Sequence, residues 1–193
     1  MEQLTLGILE KSKVKILASS AFDFNIELVE HIGKDDIPQL MEVSENLVLK
    51  FGKRSRLSKI NINKYFNKHT LPFVARHKGK IIGYIIGVPL EHFKNESWSH
   101  FDLNIGKNNT LYTYAFVLKE NHRHRGGYAK TLKRIYINWA KKKGYEFVTG
   151  HVEQGISQRF SRDTEVIKVF PKWYEAKVPF EYYRRPLNPF RRG

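Results

Sequence analysis

Apolar positions along the chain change period several times, and the changes mark out its elements. From Phe22 to Gly33, apolar and polar side chains alternate closely enough to predict a strand. Asp35 or Asp36 can then cap a helix that carries Pro38 in its first turn. Ile37, Leu40, Met41, Val48 and Phe51 recur at the spacing of one helix face, and Gly52 offers a stop. A basic connection, "KRSRLSK" (53–59), leads to a short helix in "INKYFNK" (62–68). The period of two returns in "LPFVARHKGKIIGYIIGVPL" (71–90), a hairpin turning at Lys78-Gly79. "TLYTYAFVL" (110–118) is a further β-rich run.

After Gly127 the apolar residues Ala129, Leu132, Ile135, Tyr136, Trp139 and Ala140 step by three and four, so an amphipathic helix is predicted. Lys141, Lys142 and Lys143 complement the negative end of its dipole, and Gly144 ends it. "YEFVTGHV" (145–152) predicts a strand, "DTEVIKVF" (163–170) a helix ending at Pro171, and "VPFEYYRR" (178–185) a last strand. The predicted order is βα(α)βββαβαβ, a mixed α/β chain.

Composition narrows the class. With 193 residues, 41% hydrophobic and 13% aromatic, the chain suits one globular domain with a substantial core. The absence of cysteine excludes disulfides, Cys-ligated zinc and a thiol nucleophile, and permits a reducing compartment. The opening residues lack a basic segment followed by an apolar run, and no stretch approaches a membrane span. A cytoplasmic protein with no membrane partner is expected, and the sequons at Asn95 and Asn108 then carry no glycan. Lys and Arg number 34 against 19 Asp and Glu, a net charge of +15 that attracts phosphates or other anions.

The charge has a focus. Between Lys119 and Gly144 stand nine basic residues and a single acid, Glu120. Inside that stretch "NHRHRGGYAKTLKR" (121–134) sets two glycines between a predicted strand and a predicted helix. Such a junction is an anion site, because free backbone N–H groups converge there with the positive end of the dipole. A P-loop is excluded, since Ala129 rather than glycine precedes Lys130-Thr131 and His124 stands five residues before Ala129. The dinucleotide fingerprint G-x-G-x-x-G fails on spacing as well.

The pattern Q/R-x-x-G-x-G/A does fit, as His124-Arg125-Gly126-Gly127-Tyr128-Ala129 with His124 in the Gln/Arg slot. In this segment, in the preceding strand and in the hairpin "HKGKIIGYIIGV", the chain resembles the GNAT family of N-acetyltransferases. "DTEVIKVF" is similar to the family's N-x-x-A-I-x-L-Y helix, with Asp163 and Phe170 in the Asn and Tyr slots. The resemblance covers about residues 22–185. It implies a domain at 22–187 between an N-terminal extension (1–21) and a basic tail (188–193). The implied fold is a mixed, splayed sheet of six or seven strands flanked by helices.

Acetyl-CoA is the implied acyl donor, with no metal. The backbone of Phe116, Val117 and Leu118 would pair with its pantetheine arm. Amides from His124, Arg125, Gly126, Gly127, Tyr128, Ala129 and Lys130 would hold the pyrophosphate, and Arg123, Arg125 and Lys130 would add charge.

Acetyl transfer needs a neutral amine, and deprotonating an ordinary lysine at pH 7 takes about 4 to 5 kcal/mol. An α-amine needs only about 1 to 2 kcal/mol. The 110–118 strand holds no carboxylate. Candidate bases are Glu153 and His151 at the end of the next strand, with Tyr112 or Tyr114 aiding a water. With Phe170 in the family's Tyr slot, Tyr174 is the candidate acid, although "KWYEAKVPFEYY" also reads as packed aromatic structure. His122 and His124 have no third ligand in view, so a metal site is not expected. The expected acceptor is a small-molecule or peptide amine, its contacts drawn from roughly residues 35–70. A longer acyl donor would need only more room beside Phe116. The competing reading is a basic nucleic-acid-binding module without turnover, in which "FEYYRRPLNPFRR" supplies stacking and phosphate contacts. No pattern fixes an oligomeric state.

Overall fold

The structure, a computed structural model, describes residues 10–123 and 126–188. Eight strands form one sheet: β1 (Lys13–Ser20), β2 (Phe24–His31), β3 (Leu71–His77), β4 (Lys80–Pro89), β5 (Thr110–Leu118), β6 (Phe147–Glu153), β7 (Glu165–Phe170) and β8 (Phe180–Pro186). Their spatial order is β1-β2-β3-β4-β5-β6-β8-β7. All neighbours are antiparallel except β5 and β6. Among the described residues three α-helices accompany them, α1 (Ile37–Phe51), α2 (Ile62–Tyr65) and α3 (Tyr128–Lys142). No helix among the described residues is long and apolar enough to cross a membrane.

Side chains alternate along a strand, and a bulge at Ile82, between the pairs Ile81↔Arg76 and Gly83↔Ala75, shifts the phase, so β4 feeds two cores. Tyr84, Ile86 and Val88 pack with Leu40, Val43 and Leu47 of α1 on one face. Ile82 and Ile85 pack with Leu132, Tyr136 and Ala140 of α3 on the other. Each fully buried aliphatic side chain contributes roughly 1.5 to 3 kcal/mol relative to exposure. The start of α1 is fixed electrostatically. Asp36 stands at its N-cap but makes no side-chain cap; its carboxylate accepts from Arg76 of β3 at 2.9 Å, while Arg76 Nε reaches Glu27 of β2 at 3.1 Å. Burial of both carboxylates makes the arginine necessary, since removing it would leave two unpaired charges inside.

Two segments differ from expectation. Residues 13–20, assigned to an N-terminal extension, form β1 and pair antiparallel with β2, so the sheet begins before residue 22. "DTEVIKVF" is not a helix: residues 165–170 are strand β7, pairing with β8 from Glu165↔Arg184 to Phe170↔Phe180. Val166, Ile167 and Val169 are β-branched, and only six residues separate Thr164 from Pro171, too few for a stable helix without a burying face. Glu165 accepts from Arg184 at 2.8 Å, which fixes the register. These two strands raise the count from the expected six or seven to eight. The candidate residues His124 and Arg125, and residues 189–193 of the basic tail, lie outside the described residues.

Candidate active site

The site begins where two strands part. β5 and β6 pair over only three positions, Thr110↔Phe147, Leu111↔Val148 and Tyr112↔Thr149. Beyond them β5 carries a bulge: Gly87 faces Thr113 and Ile86 faces Ala115, so Tyr114 is the extra residue. A bulge bends its strand and re-aims the side chains after it. Accordingly Tyr114 and Ala115 both turn to the α1 face, Val117 follows, and Leu118 joins the α3 face. Gly150 lets β6 pass close at the fork, for a Cβ there would lie 3.2 Å from the Thr113 carbonyl oxygen. Phe116, Val117 and Leu118 thus pair with β4 along one edge, and their other edge lines a cavity of about 1090 Å³. An unpaired strand edge offers N–H and C=O groups to an extended, amide-bearing chain.

The cavity passes through the fork and reaches both faces of the sheet. On the α3 face it is lined by Phe116, Ala129, Lys133, Tyr136, Ile137, Phe160 and Arg185. Gly126 and Gly127 lead into α3 with φ of 59° and 65°, the left-handed region that glycine tolerates. A Cβ on Gly126 would meet the Tyr128 ring at 2.6 Å, whereas one on Gly127 would project into open space. Among the described residues no side chain caps α3, and no acid stands in its first turn, so the amides of Tyr128, Ala129 and Lys130 are placed to meet an anionic ligand. Arg123 lines the cavity nearby, its Nε donating to the Leu118 carbonyl at 3.3 Å.

Lys133 was not anticipated. Its Nζ sits 3.5 Å from the centre of the Phe160 ring, and burial, followed by repulsion from Arg185, lowers its pKa to about 8. The sequence does carry a signal, because Lys133 falls on the stripe formed by Ala129, Leu132, Tyr136 and Ala140, where a polar residue is out of pattern.

On the α1 face the lining is aromatic, with Tyr65, Phe93, Trp98, Tyr112, Tyr114, Trp173 and Tyr174. Lys50, Arg54, Lys64, Glu96, Glu153 and Glu175 supply its charges. Glu153, a candidate base, is engaged by Lys50 at 2.7 Å. Tyr174, the candidate acid, is 57% exposed and has φ of 48°, an outlier for a bulky residue. Partial burial, then Glu96 and Tyr65, raise its pKa, so its proton is retained at neutral pH. His151 stacks on Trp173 at 3.6 Å and hydrogen-bonds through Nδ1 with the Tyr112 hydroxyl at 2.9 Å. Burial lowers the His151 pKa to about 3, and Nε2 is buried without a partner. A neutral imidazole so reluctant to protonate is a poor base near pH 7. Burial also drives the Tyr112 and Tyr114 hydroxyls upward.

Among the described residues, no three His, Asp or Glu side chains converge as a metal-ligand set. The structure brings Glu153, Tyr174 and Phe116 to one cavity and sets Val117 and Leu118 beside them. Glu96, Trp98 and Trp173 were not anticipated either, for they come together only when β8 pairs with β6 and the 90–101 turns fold over them.

The profile of the Acetyltransferase (GNAT) family matches residues 41–160. No curated protein matches the chain in sequence. Among solved structures, a GCN5-related N-acetyltransferase from Kribbella flavida is similar over 86% of this chain and 99% of its own, with a TM-score of 0.63 at 15% identity. A ribosomal-protein-alanine N-acetyltransferase from Brucella melitensis is similar over 83% and 98%, with a TM-score of 0.61 at 15% identity. At such identities the likeness is one of fold.

Proposed function

The chain belongs to the acetyltransferase (GNAT) family, and on that premise we propose that it moves the acetyl group of acetyl-CoA to an amine by direct attack. The observation that carries this reading is the fork between β5 and β6 beside an uncapped, glycine-led helix start. An extended thioester donor needs both features: a strand edge for its amides and a cluster of free N–H groups for its phosphates. The diphosphate would lie at Gly126 to Lys130, with Arg123 and Lys133 as neighbouring cations. The pantetheine arm would run along Phe116 to Leu118, and the thioester would reach the fork beside Tyr112.

From the α1 face the amine nitrogen attacks the thioester carbonyl. The C–N bond forms, the C–S bond breaks as the tetrahedral intermediate collapses, and the products are an acetamide and CoA thiol. Tyr174 retains its proton and is the group proposed to protonate the departing sulfur. Glu153, held by Lys50, acts through water on the proton the amine gives up. No metal enters this scheme. A bare nucleic-acid module would have no use for a cavity that crosses the sheet.

The test is calorimetry with acetyl-CoA and thiol release with an amine panel. Gly127→Glu should abolish acetyl-CoA binding, because it would set a carboxylate beside the phosphates and strain a left-handed backbone. Unchanged affinity would rule the site out. Salt-dependent RNA or DNA affinity without any acetyl-CoA binding would favour the nucleic-acid reading instead.

A further inference from the structure

The α1-face half of the cavity is walled by rings that the fold leaves partly bare. Tyr65 and Tyr114 stack at 4.1 Å with planes 18° apart, and Phe93 lies nearly parallel to Tyr114 at 6.3 Å, 8° apart. All three are only half-buried and line the cavity, so apolar ring surface faces its interior until a ligand covers it. Tyr174 adds a fourth ring, held in a left-handed conformation that the surrounding structure must maintain.

Charge gives this wall a direction. Glu96 lines the chamber and lies close enough to Tyr112 and Tyr174 to act on both hydroxyls. No cation stands within ion-pair distance of it among the described residues. Lys50, Arg54 and Lys64 line the same chamber together with Glu153 and Glu175, and Lys50 engages Glu153, so Glu96 is the carboxylate that stands beside both Tyr112 and Tyr174.

The chamber is also roofed. Residues Trp173 to Glu175 cross from β7 to the end of α1, where the Glu175 carboxylate occupies the space a Cβ on Gly52 would take, and Trp173 stacks on His151 at 3.6 Å. Trp173, Tyr174 and Glu175 thereby line the chamber and narrow the room for a bulky acceptor such as a polypeptide.

We propose that the acceptor is a small arylalkylamine, its ring lying among Tyr65, Phe93, Tyr114 and Tyr174 and its single ammonium held by Glu96 beside Tyr112. This rests on the acetyltransferase reading. The ammonium releases one proton to water before its nitrogen forms the bond to the acetyl carbon, and CoA leaves as the thiol. Ring-on-ring contact and cation–π attraction both favour an aromatic amine over an alkyl chain of equal charge. A polyamine brings further charges but no ring to lie against Tyr65, Phe93 and Tyr114.

The experiment titrates the full chain, saturated with CoA, with 2-phenylethylamine, n-hexylamine, spermidine and a lysine-containing peptide. Thiol release from acetyl-CoA with the same four amines is measured in parallel. The expected result is binding of 2-phenylethylamine about tenfold tighter than hexylamine, with spermidine and the peptide weaker still. Glu96→Gln and, separately, Tyr65→Leu should each weaken 2-phenylethylamine about fivefold or more and leave acetyl-CoA affinity unchanged. Hexylamine, spermidine or peptide binding as tightly as 2-phenylethylamine overturns the proposal, as does an unchanged affinity in both variants. If CoA does not bind, the acetyltransferase reading fails, and the ranking of amines on the protein alone still judges the acceptor class. If CoA binds and the ranking is flat, only the acceptor class falls.

Discussion

His151 should give the protein an acid sensitivity whose size follows from its surroundings. The imidazole is packed among Trp98, Trp173, Phe170 and Tyr182, with ring centroids 3.6 to 5.4 Å away, and its pKa falls from 6.5 to about 3 because burial penalises the charged ring. The unfolded chain therefore binds more protons than the native one throughout that interval, and stability drops as pH falls from about 6.5 towards 3. The contribution is fully present above pH 6.5. For a single site with these two values, about 2 kcal/mol is lost at pH 5 relative to pH 7.5, and about 4 kcal/mol by pH 3.

Urea unfolding at pH 7.5 and pH 5.0, for the native sequence and for His151→Phe, isolates the effect. Phenylalanine keeps a ring against Trp173 but does not titrate, and the hydrogen bond it forfeits with Tyr112 costs the same at both pH values. The difference between the two pH values should be about 2 kcal/mol larger in the native chain than in the variant. His151→Gln, which retains a polar atom towards Tyr112, should show the same flattening. If the pH dependence of all three chains agrees within about 0.5 kcal/mol, the imidazole is not buried neutral and the reasoning is refuted. A corollary concerns rate: no inflection near pH 6.5 from this residue should appear in kcat/KM.

Tyr174→Phe should lower kcat by about tenfold to a hundredfold and leave acetyl-CoA affinity intact, since only the proposed proton donor is removed; a native rate in steady-state assays would return the ring to a packing role. Lys133, with a pKa near 8 in the free protein, is neutral at higher pH, and a bound phosphate favours its charged form. Acetyl-CoA affinity should therefore fall as pH rises above about 8, by up to tenfold per unit, and Lys133→Met should flatten that slope in calorimetry while Lys133→Arg moves it out of range.

The elements that form the fork were legible because each satisfies a local rule. The 71–90 hairpin turns at Lys78 and Gly79, which both have positive φ, 49° and 73°. α3 follows a 3.6-residue stripe, and its start is marked by glycines whose left-handed backbone demands them. β1 was not legible. "KVKILASS" alternates, but it is an edge strand with Ile16 and both lysines exposed, so its hydrophobic signal is faint. The aromatic chamber on the α1 face was less legible still, as Tyr65, Glu96, Tyr114 and Trp173 belong to four separate segments. No spacing rule connects them; the sheet's pairing does.

That residues 165–170 are strand β7 rather than the expected helix bears on the proposed chemistry. Phe170, in the Tyr slot of the pattern the sequence resembles, has no hydroxyl and lies on this strand. Strand β7 instead pairs at the far edge of the sheet, beyond β8, and so cannot flank the fork. The space beside α3 is filled by Phe160, which follows a single turn at Ser157–Arg159 and holds Lys133 over its ring. That turn is pinned by the buried Glu181 carboxylate, which accepts from the Ser157 amide at 2.9 Å and from its hydroxyl at 2.6 Å. In the proposed reaction the proton donor for the leaving thiolate comes from the opposite side of the sheet, across the fork. The segment that leaves β7 delivers Tyr174 there in a backbone conformation tyrosine seldom adopts. The strand at 165–170 and the strained tyrosine thus belong together: pairing at the sheet edge carries the chain to the α1 face, where Trp173, Tyr174 and Glu175 line the cavity.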